Sequence, residues 1–317
     1  MPTRDRSSLD WEELFVLWAA RRSGVLGALL DTAGTAESAA AEAGVAEPAA
    51  RALVESLADL GYLRRVGGEY EITNRALGFL AKRDVRSIGR LPHALDLFDY
   101  WTALPETMRT GEAPDPPAEW TRNRLGAHAA TDEARVRARV TAAVREAPAA
   151  DRVLDVCGAS GAYATEFAAR GFETTLVDEP AAVDAAAPML AHRDVRTVAA
   201  GVPGAADFEA GGPFDLAFAA EATSRFDPAE NRTLLSAAFD ALEPGGTLVV
   251  VDALRDGSPA AVRARVRALG VGRGDAYPEE TYRSWLDAAG FVDTTVRPVP
   301  GDDRSAVVAR RPERAVD

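Results

Sequence analysis

Between Arg152 and Asp178 the chain reads R-V-L-D-V-C-G-A-S-G-A-Y-A-T-E-F-A-A-R-G-F-E-T-T-L-V-D, an order that few folds accommodate. A short apolar run (Val153, Leu154, Val156) carries Asp155 near its end and opens into a turn of small residues, Cys157 to Gly161. A helical stretch follows, Ala162 to Arg170, then a second β-rich run, Thr174 to Val177, closed by Asp178. Strand, tight turn, helix, strand and acid make half of a nucleotide-binding α/β unit.

The flanking sequence extends that pattern. After Asp178 come a helix to about Leu190, a strand at Val195–Ala199, and an irregular Gly/Pro/Ala loop. Phe214–Ala219 reads as a buried strand, Pro228–Leu242 as a helix, and Pro244-Gly245-Gly246 as a turn into Thr247–Val251. A segment rich in Arg and Gly runs to Gly274. Pro278–Ala289 is a helix stopped by Gly290, followed by Phe291–Val296 and Ala306–Ala309. Alternating β and α with a final strand pair predicts a doubly wound sheet with an antiparallel edge strand.

The first third is built differently. Trp11, Leu14, Phe15, Trp18, Val25, Leu26, Leu29 and Leu30 fall at helical spacing, with Asp10 as N-cap. A short helix capped by Thr35 stops at Gly44, and another runs from Ala49 to Leu60. Two β-like runs, Tyr62–Val66 and Tyr70–Thr73, join through Gly67-Gly68. Helix, helix, turn, helix, hairpin is a winged-helix pattern. DNA recognition fails on charge, because Glu47, Glu55 and Asp59 face Arg51 alone on the third helix, where phosphate contacts need a basic surface. The helices of 75–112 mix aromatic and aliphatic residues and suit a pocket wall or core. Pro114, Pro116 and Pro117 mark a linker, and Thr131–Glu146 reads as a helix whose four arginines (Arg135, Arg137, Arg139, Arg145) form a solvated face. The expected domains are therefore 1–112, a linking segment at 113–150, and 151–317.

Composition sets outer limits. A chain of 317 residues with 47% hydrophobic side chains can bury a core in each of two domains. The formal net charge of −13 disfavours a general attraction to nucleic acid or anionic membrane, and no apolar run is long enough to span a bilayer. Cys157 is the single cysteine, which suits a reducing cytoplasm. Lys82 is the one lysine among 36 basic residues. A GC-rich genome and a high-salt cytoplasm both account for that bias, and both stay open.

The ligand chemistry follows from the strand-end acids. A pyrophosphate needs a glycine-rich helix start and no acid beside it, whereas Asp155 suits a cationic ligand. S-adenosylmethionine carries an ammonium and a sulfonium and no phosphate, and Asp178 stands where ribose hydroxyls are held. The pair favours that cofactor over NAD.

With V-L-D-V-C-G-A-S-G, L-V-D-E-P, A-L-E-P-G-G-T-L-V-V-V-D and Y-R-S-W-L-D-A-A-G-F in this order, residues 10–310 resemble the bacterial and plant small-molecule O-methyltransferases. That family joins a winged-helix dimerisation domain to a Rossmann-like methyltransferase domain. The resemblance implies cofactor contacts at Asp155, Cys157, Gly158, Gly161 and Asp178. It implies an adenine grip near Val202 or, a few residues late, at Asp207. It also implies a homodimer formed through the N-terminal helices, with Trp11 and Trp18 in the interface, and a small-molecule acceptor lying against helices 91–108 and the 221–226 loop.

Three departures stand out. Cys157 and Ala159 replace turn glycines, and a β-carbon at a left-handed position costs on the order of 1 kcal/mol. Gly201-Val202-Pro203 stands where Gly-Asp and an aromatic are usual, so Val202 replaces the acid. Ser224 stands where the family's catalytic histidine is usual, flanked by Glu221 and Arg225, and Glu221 acts as a base there only if burial raises its pKa. Methyl transfer by proximity and orientation needs no base. The competing expectation is a non-methylating descendant that binds the cofactor as a ligand or scaffold.

Overall fold

The structure, a computed structural model, describes residues 10–31, 34–80, 88–203 and 212–313. Helix α1 (Trp11–Arg22) starts on the Asp10 side chain, which accepts the Trp11 N–H. The apolar stripe that reads as one helix to Leu30 is broken at Gly24, whose φ of 83° has no place inside a helix, and α2 (Val25–Asp31) starts afresh. Thr35 and Ser38 form a reciprocal capping box on α3 (Ala36–Ala43). Helix α4 (Glu47–Asp59) leads into the hairpin β1 (Leu63–Val66) and β2 (Glu69–Ile72), paired antiparallel with Leu63 opposite Ile72. Leu17, Val25, Leu26, Val54, Leu57 and Tyr62 form the core of this region.

After α5 (Asn74–Leu80) the long α6 (Leu91–Thr110) adds Leu91 and Leu95 to that core. A polar seam fastens it to its neighbours. Arg21 pairs with Asp96 at 2.9 Å and Asp99 at 2.7 Å, and Asn123 Nδ2 donates to Asp96 at 2.8 Å. Asn123 belongs to α7 (Trp120–Ala129), a helix that sequence reasoning left unassigned. Its polar, weakly periodic sequence carries no stripe to reveal it. Helix α8 (Glu133–Glu146) then leads into the sheet.

The elements that follow are β3 (Arg152–Val156), α9 (Ala162–Ala169), β4 (Glu173–Asp178), α10 (Pro180–Leu190) and β5 (Val195–Ala199). Then come β6 (Phe214–Ala220), α11 (Pro228–Ala241), β7 (Leu242–Asp252), α12 (Ala261–Val271), α13 (Glu279–Ala288), β8 (Val292–Pro298) and β9 (Ser305–Arg310). The seven strands lie in the order β5-β4-β3-β6-β7-β9-β8, and β3 through β7 pair in parallel. The expected antiparallel pairing at the edge is made by β9, which runs against both β7 and the outermost β8. Helices cover both faces, so the central strands are buried on both sides. Leu154 and Val156 face one core, and Val153 joins Phe167 and Phe218 in the other. Strand order reverses between β3 and β6, and in such sheets the crevice outside the carboxyl ends of these strands is the ligand site.

Candidate active site

The turn after β3 holds three left-handed residues, Cys157 at φ 57°, Ala159 at φ 49° and Gly161 at φ 75°. The two non-glycine positions therefore carry the strain that their β-carbons predict. At Gly158 a β-carbon would lie 2.6 Å from both Asp155 Oδ2 and Leu176 Cγ, so no other residue fits. Cys157 is buried, and burial pushes its thiol pKa up, which makes it packing and not a nucleophile.

Asp155 is 0% exposed. Its Oδ2 accepts the Ala164 N–H at 3.1 Å, while its buried Oδ1 has no partner. Burial first, and then the nearby Asp178 charge, hold its pKa well above the usual carboxylate value. Asp178 accepts the Ala159 N–H at Oδ2 and the Glu179 N–H at Oδ1, both at 2.8 Å. It therefore clamps the turn from the neighbouring strand, and each of its oxygens keeps a free lone pair.

A raised folded-state pKa means that Asp155 contributes stability below its unfolded pKa of about 3.9 and loses it as pH rises through the folded value. The Asp155→Asn variant is therefore expected to melt higher than the parent at neutral pH, with the gain vanishing below about pH 4. Thermal unfolding across that range checks this, and an unchanged melting temperature at pH 7 would refute the assignment.

Helix α7 roofs the turn. Leu125 packs with Ala159, Leu176 and Leu190, and His128 Nδ1 lies 2.7 Å from Ser160 Oγ with its ring edge-on to Tyr163. Burial pushes the His128 pKa down to about 4, leaving the imidazole neutral. Arg124 is on the same helix, and burial first, then the Arg225 charge, bring its pKa down to about 10 against the opposing pull of Asp178 and Glu179. No carboxylate among the described residues lies within ion-pair distance of it. Sequence reasoning missed Arg124, because its partner elements are far away in the chain. Val202 is buried with Cys157 and Val177, so its side chain is core beneath the strand ends and only its backbone is left to face a ligand. Asp207 lies outside the described residues.

On the β6 side the expectation of a base is corrected. Glu221, at φ 56°, pairs with Arg139 at 2.9 Å and with Arg304. Burial pushes its pKa up, but Arg304 and Arg139 outweigh burial and hold the carboxylate well below its usual range, the reverse of what a general base needs. Arg139 is also not on a solvated face. It is 1% exposed, donates from Nε to Asp302 Oδ2 at 2.7 Å and reaches Tyr163 Oη. The signal was available in the sequence, since Arg139 falls between Val136, Val140 and Ala143 on the buried stripe of α8.

A short 3₁₀ turn, Thr223–Arg225, follows Glu221. Asp252, at the end of β7, holds it by accepting from Thr223 Oγ1 at 2.7 Å and the Ser224 N–H at 2.9 Å. Ser224 is buried, and its Oγ accepts from Arg267 Nη2 at 3.0 Å, so its hydroxyl serves as an anchor and not as a base. Arg225 is half-buried with its guanidinium 5.2 Å from the Phe226 ring centre. Beside this turn lies a cavity of about 370 Å³, walled by Leu97, Trp101, Ser224, Asp252, Val266 and Arg267. Of these, Val266 and Arg267 come from α12, in a segment read from the sequence only as rich in Arg and Gly. Among the described residues, no group of three or more His, Cys, Asp or Glu side chains is placed to hold a metal.

A doubly wound sheet with acids at two adjacent strand ends and a closed glycine-type turn defines a nucleotide-binding α/β protein. A family profile described as a methyltransferase domain matches residues 128–296. The chain belongs to that methyltransferase-domain family. Among solved structures it is similar to human N-acetylserotonin methyltransferase in complex with SAM, at 19% identity and a TM-score of 0.63, covering 97% of this chain and 99% of that one. It is similar to the mitomycin 7-O-methyltransferase at 21% identity and a TM-score of 0.65, covering 95% of this chain and 94% of that one. It is also similar to the N,N-8-amino-8-demethyl-D-riboflavin dimethyltransferase of Streptomyces davawensis, at 19% identity and a TM-score of 0.66, covering 95% and 96% respectively. A comparison with curated proteins finds no match.

Proposed function

We propose that this protein transfers a methyl group from S-adenosylmethionine to an oxygen of a small-molecule acceptor. One observation carries the reading: Asp155 Oδ1 is buried without a partner, and Arg124, with no carboxylate among the described residues within ion-pair distance, sits on the helix packed over the same turn. An amino-acid end with one ammonium and one carboxylate is complementary to that pair, and the spare lone pairs of Asp178 suit two ribose hydroxyls. When bound, the cofactor supplies a methyl group on a sulfonium, already activated toward a nucleophile. The residues fit it.

What the chain itself contributes is position. Glu221 is committed to two arginines and Ser224 to Arg267, so neither accepts a proton from the acceptor. The cavity beside the 3₁₀ turn holds the acceptor near the crevice, and α7 excludes water from the turn. Orientation at contact distance accounts for much of a methyl-transfer barrier. Oxygen is the acceptor atom we favour because a cationic wall stabilises an oxyanion better than a neutral amine.

The helices and hairpin before α6 are read as a winged-helix dimerisation unit, with 1–112, 113–150 and 151–317 as the functional divisions. Supporting this, Trp11 and Phe15 on α1 are 67% and 45% exposed beside a stack of Trp18 and Phe98. No helix among the described residues is long and apolar enough to cross a membrane. A single buried cysteine suits a reducing compartment.

Calorimetric titration with S-adenosylmethionine and S-adenosylhomocysteine is the deciding measurement, followed by turnover with a panel of phenols, acids and amines. Both nucleosides are expected to bind, and light scattering on the same sample is expected to read twice the 33.5 kDa chain mass. Failure of both to bind at millimolar concentration refutes the reading. Binding without transfer to any member of the panel favours the non-methylating alternative, which the strained Cys157 and Ala159 positions motivate.

A further inference from the structure

The cavity beside the 3₁₀ turn has an imbalance between donors and acceptors. Its two carboxylates are spent. Asp252 accepts from Thr223 Oγ1 and from the Ser224 and Ala253 N–H groups, and Glu221 is shared by Arg139 and Arg304. Its donors are not. Trp101 Nε1 and Arg304 Nε are buried with no hydrogen-bond partner. Arg267 reaches only the neutral Ser224 hydroxyl at 3.0 Å, and among the described residues no carboxylate lies within ion-pair distance of it. Arg263, also on the cavity wall, differs in being exposed and paired with Asp303.

The surroundings add positive charge. The charges of Arg267, Arg124 and Arg225 all act on His93, which burial first, and then these arginines, hold neutral with a pKa of about 3. The His93 Nδ1 is itself buried without a partner. Asp252 and Glu221 act favourably on Arg267, but Arg225 and Arg304 oppose them. A half-buried guanidinium with its fork unfilled is costly unless an anion completes it, and a carboxylate completes it with two parallel hydrogen bonds. The remaining wall is apolar, with Leu97, Val262, Val266 and the Trp101 ring, and about 370 Å³ lies at the small end of the range for organic ligands.

We propose that the acceptor is a small aromatic acid, bound as its carboxylate, and that Arg267 is the specificity-determining residue that selects it. The proposal rests on the methyl-transfer reading for the identity of the cavity as the acceptor site. Arg124, on which the Asp178 charge acts, remains for the carboxylate of the cofactor. A carboxylate oxygen has no proton to lose before it accepts a methyl group and becomes an ester, so an acid also fits a site without a base.

The test is calorimetric, on the full chain saturated with S-adenosylhomocysteine. Benzoate, 2-hydroxybenzoate, 4-hydroxycinnamate and 1-hydroxy-2-naphthoate are each compared with their primary amides. At least one acid is expected to bind ten-fold or more tighter than its amide, the order of effect of a charge-assisted hydrogen-bond pair. Arg267→Gln, which can still bond Ser224, is expected to erase that preference while S-adenosylhomocysteine affinity stays within about three-fold. Arg267→Lys, which keeps the charge and loses the fork, is expected to keep part of it. Equal binding of acids and amides, no binding of any acid at millimolar concentration, or a preference that survives Arg267→Gln overturns the proposal. The methyl-transfer reading is judged separately, by whether S-adenosylhomocysteine binds at all.

Discussion

Arg139→Met is expected to cost the fold about 3–5 kcal/mol, the largest stability loss among the substitutions considered, read as a lower denaturant midpoint with the slope unchanged. The reason is what the arginine leaves behind. Arg139 and Asp302 are 1% and 0% exposed, so removing the cation takes the closest ion pair from a buried carboxylate, which keeps only Arg304 at 3.6 Å and the Asp303 N–H, and Glu221 keeps only Arg304. Arg137, two residues earlier on the same helix, is the control. Its pair with Glu133 is mostly exposed, and Arg137→Met is expected to change stability by less than about 1 kcal/mol. The sign with pH follows from Glu221. Its depressed pKa means stability present above the unfolded value of about 4.3 and lost as pH falls through the folded one, so the Arg139→Met penalty shrinks in acid. A loss below 1 kcal/mol at neutral pH would mean that the network contributes little to the fold.

Asp178→Ala is expected to weaken S-adenosylmethionine binding by about two to four orders of magnitude, since two hydrogen bonds to a carboxylate contribute about 1.5–3 kcal/mol each. The same change leaves the Ala159 and Glu179 N–H groups without their acceptor, which loosens a turn already strained at Cys157 and Ala159. The melting temperature is therefore expected to fall with the affinity. Asp155→Asn behaves differently, because it relieves the cost of a buried charge and takes away the same charge that would hold a cationic ligand. Stability and affinity move together at Asp178 and in opposite directions at Asp155. Titration calorimetry and thermal unfolding on the two variants separate the roles. Full cofactor affinity in Asp178→Ala would show that the crevice end is not the nucleoside site.

Most of the architecture is legible in the residues because it rests on local rules. The apolar runs of β3, β4, β6 and β7 are strands buried on both faces, and Thr35, Gly44 and Gly290 punctuate helices where caps and stops demand it. The strain at Cys157 and Ala159 follows from their β-carbons alone. Helices α7 and α12 escape that reading. Helix α7 is polar and weakly periodic, α12 interleaves Val262, Val266 and Leu269 with arginines and leaves those three exposed, and the two hold their place by packing against Leu176, Leu190 and α6.

The opening stretch, Arg152 to Asp178, determines by itself the strand–turn–helix–strand unit and the two acids at its strand ends, because each depends only on near neighbours in the chain. What those acids and the residues opposite them do is decided by tertiary contacts. Glu221 becomes an ion-pair anchor because Arg139 and Arg304, 82 and 83 residues away, reach it, and Arg139 is buried because Asp302 lies 163 residues further on. Arg267 meets Ser224 across 43 residues. A side chain's pKa and free valences are set by whatever packs against it, and at such separations only the folded chain specifies that neighbour.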